Sequence, residues 1–366
     1  MQAVRLEWLQ FTGRDLALAP GKTFLLCGYY GEHNLGDDAL LEVALSQLPQ
    51  GSRAIVTAHD QTQVQERFGV ATVQRRSLAQ VLAALRQVDA LVLGGGSLLQ
   101  DSTSFKSLIY YGALIAAARM RGKQVLLWGQ GLGPLGRRRS RWFVRRLLPL
   151  AAAISWRDQA SADLAGRWGV TAPVAPDPVW GLAPQPWRGR GGPIVVCLRP
   201  TSLLDTAQLD GAGWHPYLEA LASLAEAGNR EVIWLAFHGH QDQGLLASLR
   251  QQDLLPPALG ARSREVIPKH PREAMAVFAG AGLVVAMRLH GLILAALAGC
   301  PVAALSYDPK VAAAAKDLGC PCHSLADPAF PELLLESWRK ALDQPLPSGQ
   351  VLELHLQAQE HRKVFA

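Results

Sequence analysis

Two short stretches near the end of the chain carry the residue types that could move a proton and hold an anion. Met287-Arg288-Leu289-His290-Gly291 follows the apolar run Leu283 to Ala286, and Ser306-Tyr307-Asp308-Pro309-Lys310 closes the run Val302 to Ser306. If both runs are strands of one sheet, Arg288, His290 and Lys310 emerge at neighbouring strand ends. Cations flanking a titratable imidazole suit a small, highly charged substrate, with the imidazole giving or taking a proton near neutral pH. A lone His at a helix start is more often structural; the charges around His290 favour a functional role.

Other strand ends offer weaker signals. Ser155-Trp156-Arg157-Asp158 presents a guanidinium fork for a carboxylate or phosphate, with Asp158 placed to hold it or to cap a helix. Arg199 ends the run Ile194 to Leu198, and His238, His240 and Asp242 follow the run ending at Phe237. No third ligand at an established spacing joins the histidines, and Cys320-Pro321-Cys322 is equally unconvincing, so no metal is expected. Gly28, Gly31 and Gly36 lie between the first strand and first helix with Asn34, Asp37 and Asp38; either Asp could simply cap that helix. The spacing is neither the dinucleotide fingerprint nor a P-loop, which leaves nicotinamide and ATP poorly supported. Gly94-Gly95-Gly96 reads as a turn facing a cleft, with a plain tight turn as the bland alternative. Trp128-Gly129-Gln130-Gly131-Leu132-Gly133-Pro134 reads as a loop beyond a strand.

These positions need a scaffold, and the hydrophobic pattern supplies one. Apolar runs at Thr23 to Cys27, Ala54 to Thr57, Ala90 to Leu93, Gln124 to Trp128 and Ala151 to Ser155 alternate with helical spacing, the signature of a parallel sheet covered on both faces. A breaker-rich stretch around Pro176, Pro178, Pro184, Pro186 and Gly189 to Pro193 suggests a linker, after which the pattern restarts at Ile194 to Leu198, Val232 to Phe237, Leu283 to Met287 and Val302 to Ser306. The expectation is an α/β chain of two doubly wound, Rossmann-like domains facing a cleft: 1–185, then 186–349, with a helix in 350–366 packing back on the first.

Composition narrows the class. The chain has 366 residues, too many for one core, and the 49% hydrophobic content excludes disorder. No apolar run is long enough to span a membrane, and the opening MQAVRLEWLQ lacks a leader's pattern, so a cytoplasmic location is expected. Five cysteines, an odd number, give no disulfide framework. The net charge of +6 favours anionic partners, and the excess is concentrated in Arg137, Arg138, Arg139, Arg141, Arg145 and Arg146. With Trp142, Phe143, Leu147 and Leu148 this segment suits a helix lying on anionic headgroups, or a solvated helix whose apolar side joins the core. No helix-turn-helix or RNA-binding signature appears, so no nucleic acid is expected.

The chain resembles the polysaccharide pyruvyl transferase family, and within it the CsaB branch, on GYYGEHNLGDDALL, LGGGSLLQD, WGQGLGPL, SWRD, LRP, RLHG and SYDPKV, which span 28–311. The resemblance implies a fold like that of GT-B glycosyltransferases, with phosphoenolpyruvate donating its pyruvyl unit as a cyclic ketal to a sugar, without cofactor, metal or nucleotide. The acceptor it implies is a cell-envelope glycan, lipid-linked or polymeric, met at the inner membrane face. It assigns His290 as general acid or base, and Arg288, Arg157 and Lys310 to the donor. Arg199 is a less secure donor contact, and Gly31, Asn34, Asp37, Gly95, Gly96 and His238 are less certain cleft residues. The alternatives are a GT-B glycosyltransferase or sugar-nucleotide epimerase and, in another class, a non-catalytic anion or membrane-surface binder.

Overall fold

Short runs of Val, Leu, Ile and Ala, buried on both faces, set the architecture. The computed structural model describes residues 21–102, 104–201, 204, 213–344 and 346–366; the opening segment on which the leader reading rests lies outside them. The first sheet contains β1 (Thr23–Tyr30), β2 (Arg53–Ala58), β3 (Ala71–Gln74), β4 (Ala90–Leu93), β5 (Gly96–Leu99), β6 (Gln124–Leu132) and β7 (Ala153–Trp156). Its order is β3-β2-β1-β4-β6-β5, with β7 also paired to β6, and every pairing is parallel. The second sheet contains β8 (Ile194–Cys197), β9 (Val232–Leu235), β10 (Ser263–Val266), β11 (Leu283–Ala286), β12 (Val302–Ser306) and β13 (Cys322–Ser324). Its order is β10-β9-β8-β11-β12-β13, again all parallel.

Both sheets reverse direction of growth once, and these reversals place the site. The chain runs outward from β1 to β3 and returns with β4 on the other side of β1; it does the same from β8 to β10, returning with β11. Loops leaving the two central strands at such a point diverge and open a crevice. The first crevice holds the Gly31–Asn34 loop, the second the Met287–Arg288 turn. The first loop touches the second domain through backbone at the segment after β9: Leu35 N donates to Phe237 O at 3.1 Å, Gly239 N donates to His33 O at 2.8 Å, and Asn34 bridges His238.

One feature departs from the sequence reading. β6 continues through Gly129-Gln130-Gly131-Leu132, where a loop was expected; Gln130 is fully buried and its amide donates to Leu93 O at 3.2 Å, so a polar residue sits inside a central strand. The proline-rich stretch is tied down along its length: Asp177 caps the 3-10 turn Pro178–Gly181, and Gln185 N and Arg188 N donate to Leu297 O and Ala279 O at 2.7 and 2.8 Å. At the end of the chain the helix Ser348–Ala358 and the 3-10 segment Gln359–Phe365 lie against the first sheet, Phe365 meeting Phe24 edge-on at 5.9 Å. Buried His361 there joins Ser155 Oγ at 2.8 Å and Pro176 O at 2.7 Å.

Candidate active site

Asp177 lies at the centre of the polar cluster between the sheets. Its Oδ2 accepts from Arg157 Nη1 at 3.0 Å, while His290 Nε2 stands 3.5 Å from its Oδ1. Burial alone would push this carboxyl up, but His290 and Arg157 beside it, with Val179 N donating, hold it well below the usual carboxylate range. Arg157, at the end of β7, also donates from Nη2 to Ser97 Oγ at 3.0 Å. The same hydroxyl takes Lys310 Nζ at 3.4 Å across the cleft. Burial first, and Arg157 second, lower the Lys310 pKa. Two cations from the two sheets thus converge on one serine.

The cavity beside them measures about 320 Å³ and is lined by Ser97, Arg157, Lys310 and the carboxyl residues Asp158, Asp177 and Asp317 on its polar side and by Trp180, Leu289 and Ile293 on its apolar side. The first turns of the helices Gln159–Gly166 and Pro309–Leu318 also border it, adding two positive dipole ends. This is room for a small dianion. Gly131 makes the arrangement possible, since a Cβ there would stand 2.5 Å from Ser97 Oγ and 2.8 Å from Arg157 Nε.

His290 approaches Asp177 from the second sheet, on the helix Leu289–Leu297. Its ring rests on the first turn of the opposite helix, Leu35–Gln47, and its Nε2 is buried with no hydrogen-bond partner among the described residues. Asp37 of that turn, held by Asn34 Nδ2 at 2.7 Å, has its carboxyl pushed up to about 6 by burial, against the pull of His290 and Arg75. Two carboxyls with opposite perturbations therefore flank one imidazole, the pattern by which one site separates an acid from a base.

The other expected residues form a second group. Arg288 stands at the residue before the His290 helix and makes no side-chain cap bond; its guanidinium is held by Asp242, which it meets at Nε and Nη2, and by Gln241 Oε1 at 3.0 Å. The expectation of one anion site made by Arg157, Arg288 and Lys310 together is corrected here: Arg288 is paired with a carboxylate that is 1% exposed, and the cavity lining includes Arg157 and Lys310 but neither Arg288 nor His290, which reaches it through Asp177. His238 N donates to the same Asp242, and burial, then Arg288, lower the pKa of its ring. Arg199 lies over the Tyr307 ring, 5.0 Å from its centroid. Gly95 packs against Leu40 and Trp128, a core position that corrects its reading as a cleft residue, whereas Gly96 begins β5 and leads directly to Ser97. Gly31 turns with φ 72° against the backbone of Asp60. Among the described residues no group of three His, Cys, Asp or Glu side chains gathers that could hold a metal.

The sequence model of polysaccharide pyruvyl transferases matches residues 34–309, a span that includes every cavity residue named above except Lys310, which stands one position beyond it, and Asp317. The chain belongs to that family. No curated protein matches it significantly. Among solved structures, the UDP-GlcNAc 2-epimerase of Methanocaldococcus jannaschii aligns with TM-score 0.58 at 11% identity, covering 88% of this chain and 92% of that one. Anabaena HepE in complex with UDP and glucose gives 0.57 at 14%, covering 93% and 95%. A glycotransferase of kitacinnamycin gives 0.55 at 13%, covering 94% and 97%. At such identities the likeness concerns the fold: this family member shares the two Rossmann-like domains of GT-B glycosyltransferases and epimerases.

Sequence reasoning missed Ser97, Asp177 and Gly36 as site residues. Ser97 follows the glycine triplet and could have been found by asking which side chain the triplet delivers. Asp177, between two prolines, read as linker because breaker composition does not distinguish a free segment from a pinned one.

Proposed function

We propose that this family member transfers the pyruvyl unit of phosphoenolpyruvate to two hydroxyls of a cell-envelope sugar as a cyclic ketal, releasing phosphate, as a CsaB-type enzyme would. The observation that carries the reading is the convergence of Arg157 and Lys310 on Ser97 in a cavity of about 320 Å³ beside His290. Phosphoenolpyruvate places a phosphate and a carboxylate on three carbons, so it needs several cations at close quarters. Arg157 supplies a fork and Lys310 a point charge.

The reaction asks for little else. A proton goes to the methylene carbon, which becomes the methyl group, and one sugar hydroxyl attacks C2 and gives up its proton. The C2–O bond to phosphate then breaks, a second hydroxyl closes the ring, and its proton leaves with the phosphate. His290 is the group to give the first proton and recover one from a hydroxyl, a role worth about 10² to 10⁴ in rate. Asp177 presents its carboxylate to the ring, and Asp37, its carboxyl pushed up to about 6 by burial, stands in the helix turn on which the ring rests. Lys310 and Arg157 stabilise charge on the departing phosphate. Arg288 is a positioning residue in this scheme: pinned by Asp242, it fixes the start of the helix that carries His290.

Incubation with phosphoenolpyruvate and a panel of lipid-linked N-acetylmannosamine-containing glycans, in heavy water, tests this. The expected product is a ketal whose methyl carries one solvent deuterium, formed with one phosphate, and His290→Gln should lose at least 99% of it with its fold intact. Transfer of a sugar from a nucleotide donor, with phosphoenolpyruvate untouched, would replace this reading by the glycosyltransferase one.

A further inference from the structure

The helix Arg138–Leu147 breaks the rules of a helix that serves only the fold. It opens on Arg137, Arg138, Arg139 and Arg141, at the end where the helix dipole favours acids, and has no side-chain cap. All six arginines from Arg137 to Arg146 are exposed, and among the described residues none is paired with a carboxylate. Phe143 and Leu147 turn inward against Gly112, and Leu148 is buried, so these apolar residues serve the core and are not offered outward as the sequence allowed. What does face outward is Trp142, 60% exposed under the Arg146 guanidinium. Ile109, 46% exposed, lies on the adjacent helix one turn from Phe105, over which Arg137 and Arg139 rest. Arg141 donates to Leu135 O and Gly136 O at 2.9 and 3.1 Å, but Arg138 and Arg145 have no such internal partner among the described residues, and a violation of local rules without internal gain marks a surface made for something else.

We propose that this face docks on an anionic phospholipid bilayer, the arginines meeting phosphate headgroups and Trp142 and Ile109 entering the interface. The helix is about 15 Å long and presents an aromatic among cations, the composition of an interfacial helix. Its position also fits. Leu132, Gly133 and Pro134 wall the cavity, and three residues on, the carboxylate of Asp101 clamps Gly136 N and Arg137 N at 2.8 and 3.0 Å. A bilayer under this helix therefore lies at the mouth of the cleft, where a sugar on a lipid carrier would enter. The inference deepens the proposed function by naming where the acceptor comes from, yet the docking itself needs neither donor nor acceptor.

Co-sedimentation with vesicles of phosphatidylglycerol and phosphatidylcholine, against phosphatidylcholine alone, at physiological salt, decides it. The protein should prefer the anionic vesicles. The combined change Arg138→Glu, Arg145→Glu and Arg146→Glu should weaken that binding at least tenfold, with an unchanged melting temperature. Reversing Arg86, Arg167 and Arg339 instead, which alters net charge equally, should leave most of the binding in place. The proposal is overturned if the parent does not discriminate between the vesicles, if the two triple variants bind alike, or if the parent binds a nucleic acid duplex and ignores vesicles. Failure of the donor reading would show as absent ketal with vesicle binding intact, so the two outcomes are separable.

Discussion

The imidazole of His290 occupies the space that a side chain on Gly36 would need: a Cβ at residue 36 would lie 2.1 Å from His290 Nδ1. These residues belong to opposite sheets, so the contact sets both the ring position and the closeness of the two domains.

Gly36→Ala should therefore separate stability from activity. Ala is the better helix residue by about 0.5 to 1 kcal/mol, which offsets part of the about 1 to 3 kcal/mol needed to move the buried ring, so thermal melting should fall only modestly. Displacing the imidazole by an ångström or more should lower kcat by about a hundredfold. A variant with parental turnover would show that the contact does not position His290.

Asp177→Asn should damage both. It leaves Arg157, 7% exposed, facing an amide in place of its buried carboxylate, and loss of one partner from such a pair costs about 3 kcal/mol. It also removes the anion beside His290. The Asp177 carboxyl is held below its ordinary range, so its contribution to stability is fully present above the unfolded pKa near 4 and is lost as pH falls through the lower folded value. Urea melts of parent and variant should differ equally at pH 6 and pH 8; a difference that vanishes within that window would contradict the assignment.

The end of the chain supplies a pH dependence of another kind. Gly129 N donates to Ser155 Oγ at 2.9 Å, Ser155 Oγ and His361 Nδ1 share a hydrogen bond at 2.8 Å, and His361 Nε2 donates to Pro176 O at 2.7 Å, an arrangement that the neutral ring satisfies in full. Burial lowers the His361 pKa accordingly. The unfolded chain takes up the proton first, near pH 6.5, so stability should fall as pH drops below that value. His361→Asn should lower the melting temperature at pH 7.5 and shrink the further loss between pH 7 and pH 5.5. A variant whose pH slope matches the parent's would exclude His361 as a source of that dependence. Because Pro176 adjoins Asp177, the same variant should also lower kcat.

Much of this was legible in the sequence, for physical reasons. Buried parallel strands leave continuous apolar runs, and Val302–Ser306 and Ala90–Leu93 were read to the residue. β3, β10 and β13 at the sheet edges, with partly exposed residues such as Arg264 and His323, lack that signal and went unseen. Arg157, His290 and Lys310 stood out because charge at a strand end is unusual, and the structure sets them around Ser97 and Asp177. The division that places Arg288 with Asp242 was not legible, since a guanidinium that meets a substrate and one that meets a buried carboxylate look the same in one dimension. Gly36 and Asp177 matter through contacts with the opposite sheet or with the chain's own tail, which no local pattern records.

If the cavity around Ser97 receives phosphoenolpyruvate, its affinity for that anion will show it. Calorimetric titration should show one site per chain. Lys310→Ala, which removes a charged hydrogen-bond donor from the cavity wall, should weaken binding at least tenfold without altering the melt. UDP-GlcNAc should neither bind there nor compete. Heat from the nucleotide sugar, none from phosphoenolpyruvate, and no effect of Lys310→Ala would contradict the account.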